Sequence, residues 1–210
     1  MPSCEASQAG AAKTYESGYL MVMQRILAPF RAARRNKPVL DALYGVIMAQ
    51  ARDPYFYAQL GVPDTVEGRF DMVTLHTYLV NARLRGGGEA AQALSQDLFD
   101  HMFRDMDHAL REMGVGDMGI GKRIQKMASK FYGRTDAYEK ALADADPAAL
   151  RDAVGRNIYA GVAPNPTGVA VIAAYIRQAR ADLGIQSLDR LMEGELHFPA
   201  IATAKGDGDV

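Results

Sequence analysis

Apolar residues recur along the chain at three- and four-residue intervals, and no stretch alternates with period two over the length of a strand. The pattern predicts an all-α fold, a single helical domain of about eight helices with disordered ends. The first apolar run, Tyr19–Phe30, is followed by Arg31, Arg34, Arg35 and Lys37. It reads as a helix packing on the core, with contact to a membrane surface as the alternative. A second helix covers Val39–Arg52, opened by Pro38 and stopped by Pro54, and a short one covers Pro54–Leu60 up to Gly61. Asp64 with Glu67 three residues on reads as a capping box, starting a helix that Gly86, Gly87 and Gly88 end near Arg85.

Ala90–Met113 is the longest periodic segment, with Leu94, Leu98, Met102, Met106 and Ala109 on one stripe and Gly114 placed to end it. The next helix runs from about Gly119 to Tyr132, pauses at Gly133 and continues toward Ala143. Asp146-Pro147 opens a helix to about Tyr159, another covers Val169–Leu183, and Ser187 starts a last short one. The predicted layout is a tail over residues 1–18, one helical domain over 19–195, and a second disordered tail over 196–210.

Composition narrows the class. The chain has 210 residues, 49% hydrophobic and 23% charged, which suits one globular domain and excludes wholesale disorder. Its 24 Lys and Arg against 25 Asp and Glu give a net charge of −1, so binding to nucleic acid would need a local patch, and nothing points to DNA. One cysteine, Cys4, excludes an internal disulfide framework and a Cys-based zinc site. The first fourteen residues lack the basic start and apolar run of a secretory signal, and Glu5 and Glu16, with no Arg before Arg25, argue against a transit peptide. The longest charge-free run, Asn157–Ile176, is broken by Pro164 and Pro166 and is not a membrane span. The expected location is the bacterial cytoplasm, with peripheral contact at the inner membrane left open.

Candidate chemistry is sparse. Gly114-x-Gly116-x-x-Gly119 and Gly116-x-x-x-x-Gly121-Lys122 match nucleotide-binding patterns, but a charged helix, not a strand, precedes them, and Arg123 stands where a P-loop needs Ser or Thr. The segment reads as a helix–helix connection. His101, Asp105, His108 and Glu112 lie within a narrow arc of one helix. With no matching ligands on other helices they read as a solvated, salt-bridged face rather than a metal site. No serine sits in a nucleophile elbow and Cys4 lies in a tail, so neither an enzyme nor a cofactor is indicated. Lys122, Arg123, Lys126 and Lys130 cluster on one helix face, opposite Ile120, Ile124, Met127 and Phe131. The plain reading is a solvated face, and the alternative is a docking patch for an acidic surface such as RNA phosphate. Eleven methionines, five of them in the central two helices, fit either ordinary core or a surface for apolar clients.

An ordered set of segments carries a resemblance. Ala49-Gln50-Ala51-Arg52 precedes Phe56-Tyr57; then come Asp64-Thr65-x-x-Gly68-Arg69-Phe70-Asp71, Leu75-His76 and Arg83-Leu84. Leu98-Phe99, Met102-Phe103, Asp105-Met106-Asp107, Leu110-Arg111-Glu112 and Gly114-Val115-Gly116-Asp117 follow, then Lys122-Arg123 and Phe131-Tyr132-Gly133-Arg134 with Tyr138. This set resembles the ubiquinol–cytochrome c chaperone family over roughly Val39–Tyr159, most specifically over Asp105–Arg134. The resemblance implies an all-helical, non-enzymatic assembly factor for respiratory complex III that holds newly made apo-cytochrome b, or another complex III subunit, before haem and partner subunits are complete. It further implies, for mitochondrial relatives, a small partner protein and contact with the ribosome. A ribosome- or RNA-associated adaptor using the basic helix face is the alternative reading.

The resemblance places candidate client- or partner-binding residues at Arg69, Phe70, His76, Asp105, Arg111, Glu112, Asp117, Lys122, Lys126, Phe131, Tyr132 and Arg134. Within the wider set of signature residues a division of labour is expected. Arg69, Asp71 and Asp107 would fix helix packing, while Lys122, Lys126, Phe131, Tyr132 and Arg134 would face a partner.

Overall fold

The computed structural model describes residues 37–201, apart from the side chains of residues 117 and 118. Those residues form eight helices and no strand: α1 (Lys37–Ala51), α2 (Pro54–Ala58), α3 (Val66–Leu84), α4 (Gly88–Glu112), α5 (Asp117–Ala143), α6 (Pro147–Ile158), α7 (Pro166–Ile185) and α8 (Leu188–Met192). The expected helix over Tyr19–Phe30 and the tail over residues 1–18 lie outside the described residues.

α3 is the centre. It packs against α1, α4, α5, α6 and α7, and every residue from Phe70 to Val80 is buried. A helix enclosed on all sides is normally apolar all round. α3 instead carries Asp71, Thr74, His76 and Thr77 into the core, so these polar groups need partners inside the protein. His76 has two. Its Nδ1 lies 2.7 Å from the Met72 carbonyl, which can only accept, so Nδ1 carries the proton and Nε2 accepts from the Tyr175 hydroxyl at 2.9 Å. The rings of Phe56, Tyr175 and Phe198 surround it at 5.0–5.7 Å. Burial pushes this imidazole down to about 4, so it is neutral at pH 7.

The entry to α3 differs from the expected capping box. Thr65, not Asp64, is the N-cap, its hydroxyl accepting from the Gly68 N–H at 3.1 Å. Glu67 therefore falls one residue short of the capping-box position, and Asp64 instead holds Arg69 at 2.6 Å. Gly68 explains the register: its backbone presses so closely on the Pro63 carbonyl that any Cβ would collide with it. Gly168 plays the same part at the start of α7, against the Leu60 carbonyl and the Tyr159 hydroxyl. That hydroxyl donates to the Leu60 carbonyl at 2.6 Å.

α4 and α5 form an antiparallel hairpin. Gly114 turns it with φ +78°, a left-handed conformation that suits glycine. α5 runs without a break through Gly133, contrary to the expected pause. One glycine costs about 1 kcal/mol in a helix interior. Packing of Phe131, Arg134 and Tyr138 on either side of it outweighs that. Residues 196–201, expected as part of the last tail, are packed instead. Leu196 and Ile201 are buried and Phe198 packs on His76, because apolar side chains in this segment close the open side of α3.

Candidate functional site

The α4–α5 hairpin carries the surface with the most distinctive chemistry. Along α5, Ile120, Ile124, Met127, Phe131, Arg134, Tyr138 and Ala141 recur at alternating four- and three-residue steps and turn inward. The opposite face of its first half exposes Lys122, Arg123 and Lys126, with Lys130 half-buried. None of these four cations has an ion-pair partner among the described residues, and no acidic residue occurs between positions 118 and 135. Further along, Tyr132 is 45% exposed and its ring lies 5.5 Å from that of Phe99. Phe131 crosses Phe99 edge-on at 5.1 Å beneath it.

A cleft of about 220 Å³ opens beside these rings, lined by Asn81, Arg85, Ser95, Gln96, Phe99 and Tyr132 among others. Asn81 lines this cleft, and its buried Oδ1 has no hydrogen-bond partner among the described residues. Burial and the nearby Asp100 charge hold the Tyr132 hydroxyl above its ordinary value, so it remains a neutral donor near pH 7. The cleft thus offers an aromatic wall, amide groups and a guanidinium, with the row of lysines along the same helix.

The structure separates the other expected site residues. Arg134 is buried, with its two terminal nitrogens facing the two carboxylate oxygens of Asp71, Nη2 to Oδ2 at 2.8 Å. It also lies 5.9 Å over the Phe70 ring. The expectation that Arg134 faces a partner is corrected: it falls on the inward stripe of α5 and completes the core. Asp71 sits as expected in a structural ion pair, with burial pushing its carboxyl up, to about 7, against the pull of Arg134 and Lys130. Phe70, His76 and Phe131 are buried too, and of the three only Phe131 lines the cleft. Arg69 is exposed, pairs with Asp64 and lies over Tyr57 at 5.8 Å. Asp117 opens α5, and its side chain is outside the description.

The four-residue face on α4 splits in two. His101 stacks edge-on against Tyr44 at 4.8 Å, and Asp105 accepts from the Tyr44 hydroxyl at 2.8 Å, so both serve the α1–α4 contact. His108 and Glu112 stand 3.8 Å apart in solvent, and Arg111 pairs with Asp107 at 2.8 Å one turn away. No group of three His, Cys, Asp or Glu side chains among the described residues is close enough to hold a metal ion. No described helix is long and apolar enough to cross a membrane.

Among its described residues the chain is thus a helical body with an aromatic cleft and a cationic row that makes no ion pair. The sequence profile of the family described as ubiquinol-cytochrome C chaperone matches residues 58–198, and the chain belongs to that family. Among curated relatives, the ubiquinol-cytochrome-c reductase complex assembly factor 1 of Xenopus laevis is 23% identical over 140 residues, which are 67% of this chain and 66% of that protein. Its namesake from Homo sapiens is 24% identical over 144 residues, 68% of this chain and 48% of the human protein. The chain therefore matches about half to two-thirds of the length of these relatives. A crystal structure of the Cbp3 homologue from Brucella abortus superimposes with a TM-score of 0.74 at 37% identity, covering 89% of this chain and 99% of that one.

Proposed function

We propose that this protein is an assembly chaperone for the ubiquinol–cytochrome c reductase complex and that it holds newly made cytochrome b before haem and partner subunits are added. The observation that carries this reading is the family match, which spans the helical body from α2 to the segment that closes over α3. The client surface is the α4–α5 hairpin: Tyr132 and the cleft beside Phe99 take an apolar segment, and Lys122 and Lys126 take its acidic flanks. Arg134, Phe70 and His76 act from within, by fixing how α5 and α7 lie on α3. Release is driven by the client folding onto its own partners. The protein works in the bacterial cytoplasm and meets the inner membrane peripherally, where its client is inserted.

Affinity capture of the tagged protein from mildly solubilised native membranes tests this. Apo-cytochrome b enriched over the mature complex is the expected result, and the substitutions Lys122→Glu, Lys126→Glu and Tyr132→Ser together abolish it while leaving melting unchanged. The unpaired cations of α5 favour one second reading, an adaptor that meets ribosomal RNA. Recovery of ribosomal proteins alone, lost steeply as salt rises, would move the function there. A contact dominated by apolar burial survives salt.

A further inference from the structure

On the far side of α3 from the aromatic cleft lies a second cleft, of about 250 Å³, between the last turns of α3 and α7. Two arginines line it, one from each helix: Arg83 and Arg180. Each guanidinium spends part of its donors inside the protein. Nη2 of Arg83 donates to the Gln186 carbonyl at 3.0 Å, and Nη2 of Arg180 faces Oε1 of Glu139 at 3.5 Å. Each also keeps one buried nitrogen, Nε of Arg83 and Nη1 of Arg180, with no hydrogen-bond partner among the described residues. None of the residues lining this cleft is acidic; its remaining walls are the apolar Leu79 and Leu183 and the small Ala82, Gly86 and Gly184.

Glu139 does not neutralise this region. Its Oε2 already accepts from the Tyr78 hydroxyl at 2.7 Å and from Arg85 at 3.0 Å, so one carboxylate serves both Arg85 and Arg180 and none is left for Arg83. Neutralising the carbonyl ends of α3 and α7 accounts for the arginines being there. It does not account for a desolvated donor left over on each, because a buried charged donor without an acceptor is costly.

The geometry points to a phosphate-binding site in this cleft, held by Arg83 and Arg180. A carboxylate is best recognised by the two-pronged face of a single guanidinium. Here one terminal nitrogen of each arginine is already engaged inside the protein. The two guanidiniums line the cleft from two different helices, an arrangement that suits a tetrahedral anion with oxygens pointing both ways. The glycines leave the mouth open: a Cβ added at Gly86 or Gly184 would meet nothing within 4 Å.

Two variants and two probes test the site. Millimolar inorganic phosphate should raise the melting temperature of the full chain by about 2–4 °C over chloride at matched ionic strength. Arg83→Gln should weaken phosphate binding by about tenfold or more, as expected for loss of a charged donor. Gly184→Leu leaves both arginines in place and obstructs the cleft, so it should also abolish the shift, and it guards against a folding defect in the first variant. The second probe is flotation with vesicles of phosphatidylcholine containing phosphatidylglycerol. Flotation lost in both variants and competed by inorganic phosphate identifies a lipid headgroup as the source. A phosphate shift without flotation identifies a free phosphate compound. No phosphate-specific shift together with flotation that both variants leave unaltered, or a shift that both variants leave unaltered, overturns the site.

Discussion

Along α3 every residue from Phe70 to Val80 is buried, polar ones included, whereas the first half of α5 buries one stripe and leaves Lys122, Arg123 and Lys126 in solvent. The two helices are joined by the buried ion pair of Asp71 with Arg134 and by the Tyr78 hydroxyl donating to Glu139. In α3 polarity is largely structural: Asp71 reaches Arg134 of α5 and His76 reaches Tyr175 of α7, and each contact fixes how a neighbouring helix lies. In the outer face of α5 polarity is unspent, because its cations make no ion pair among the described residues. The contrast separates residues whose loss should unfold the protein from residues whose loss should only silence it.

The sharpest way to break this contrast is the Asp71–Arg134 pair. Asp71→Ala leaves a buried guanidinium uncompensated and should cost about 3–5 kcal/mol, read as a lower urea midpoint. Asp71→Leu combined with Arg134→Met replaces the pair by apolar volume and should recover most of that loss. A double variant as unstable as the single one would mean that the pair is more than a packing device. Gly68→Ala and Gly168→Ala come next. Each places a Cβ against a backbone carbonyl that cannot move aside, and each should cost about 1–3 kcal/mol by thermal melting. Gly45→Ala, where a Cβ meets nothing within 4 Å, is the control.

The inward place of Arg134 is legible in the sequence. Arg134 follows Phe131 by three residues and precedes Tyr138 by four, the same steps that carry the inward stripe from Ile120 onward. Its charge argues for the outside and its position for the core, and position decides. Of the three residues expected to fix helix packing, Asp71 lies in a buried ion pair with the arginine expected on the outside, whereas Arg69 and Asp107 are exposed and pair locally with Asp64 and Arg111. All eight described helices were legible from periodicity and punctuation, because proline, glycine and the cap residues Asp146 and Ser187 act locally. The N-cap at Thr65 was not, since its register depends on Gly68 meeting Pro63, a contact outside the helix. The aromatic cleft was half legible: Phe131 and Tyr132 stood out, whereas Asn81 and Phe99 join them only through the packing of α3 against α4. The Arg83–Arg180 cleft was not legible at all, because its two arginines are brought together by the tertiary fold.

A smaller effect should appear with pH. His76 is neutral in the fold because burial holds it at about 4, well below the ordinary value of about 6.5. A depressed folded-state value contributes stability that is complete above pH 6.5 and is lost as pH falls toward 4, up to about 3 kcal/mol. Asp and Glu carboxyls also change charge as pH falls toward 4, in the folded and the unfolded chain alike. The informative quantity is therefore a difference between proteins. Stability of the native chain minus that of His76→Gln, measured by urea unfolding at pH 7 and at pH 4.5, should shrink toward acid. A constant difference would mean that the imidazole does not titrate between folded and unfolded states in this window.

The mildest change bears on the outer helix alone. Gly133 is exposed in the middle of α5, its φ lies outside the left-handed region, and a Cβ there would meet nothing within 4 Å. Gly133→Ala should therefore stabilise the protein by about 0.5–1 kcal/mol, chiefly by restricting the unfolded chain. Tyr132 is its immediate neighbour, so the same substitution probes whether the client surface depends on local give in the helix. If capture is unchanged while melting rises, α5 presents Tyr132 and its lysines as a rigid row, in keeping with an unbroken helix. If capture falls while melting rises, the glycine is retained at the expense of stability because the client needs the helix to bend there. The contrast between α3 and α5 would then be one of rigidity as well as of charge.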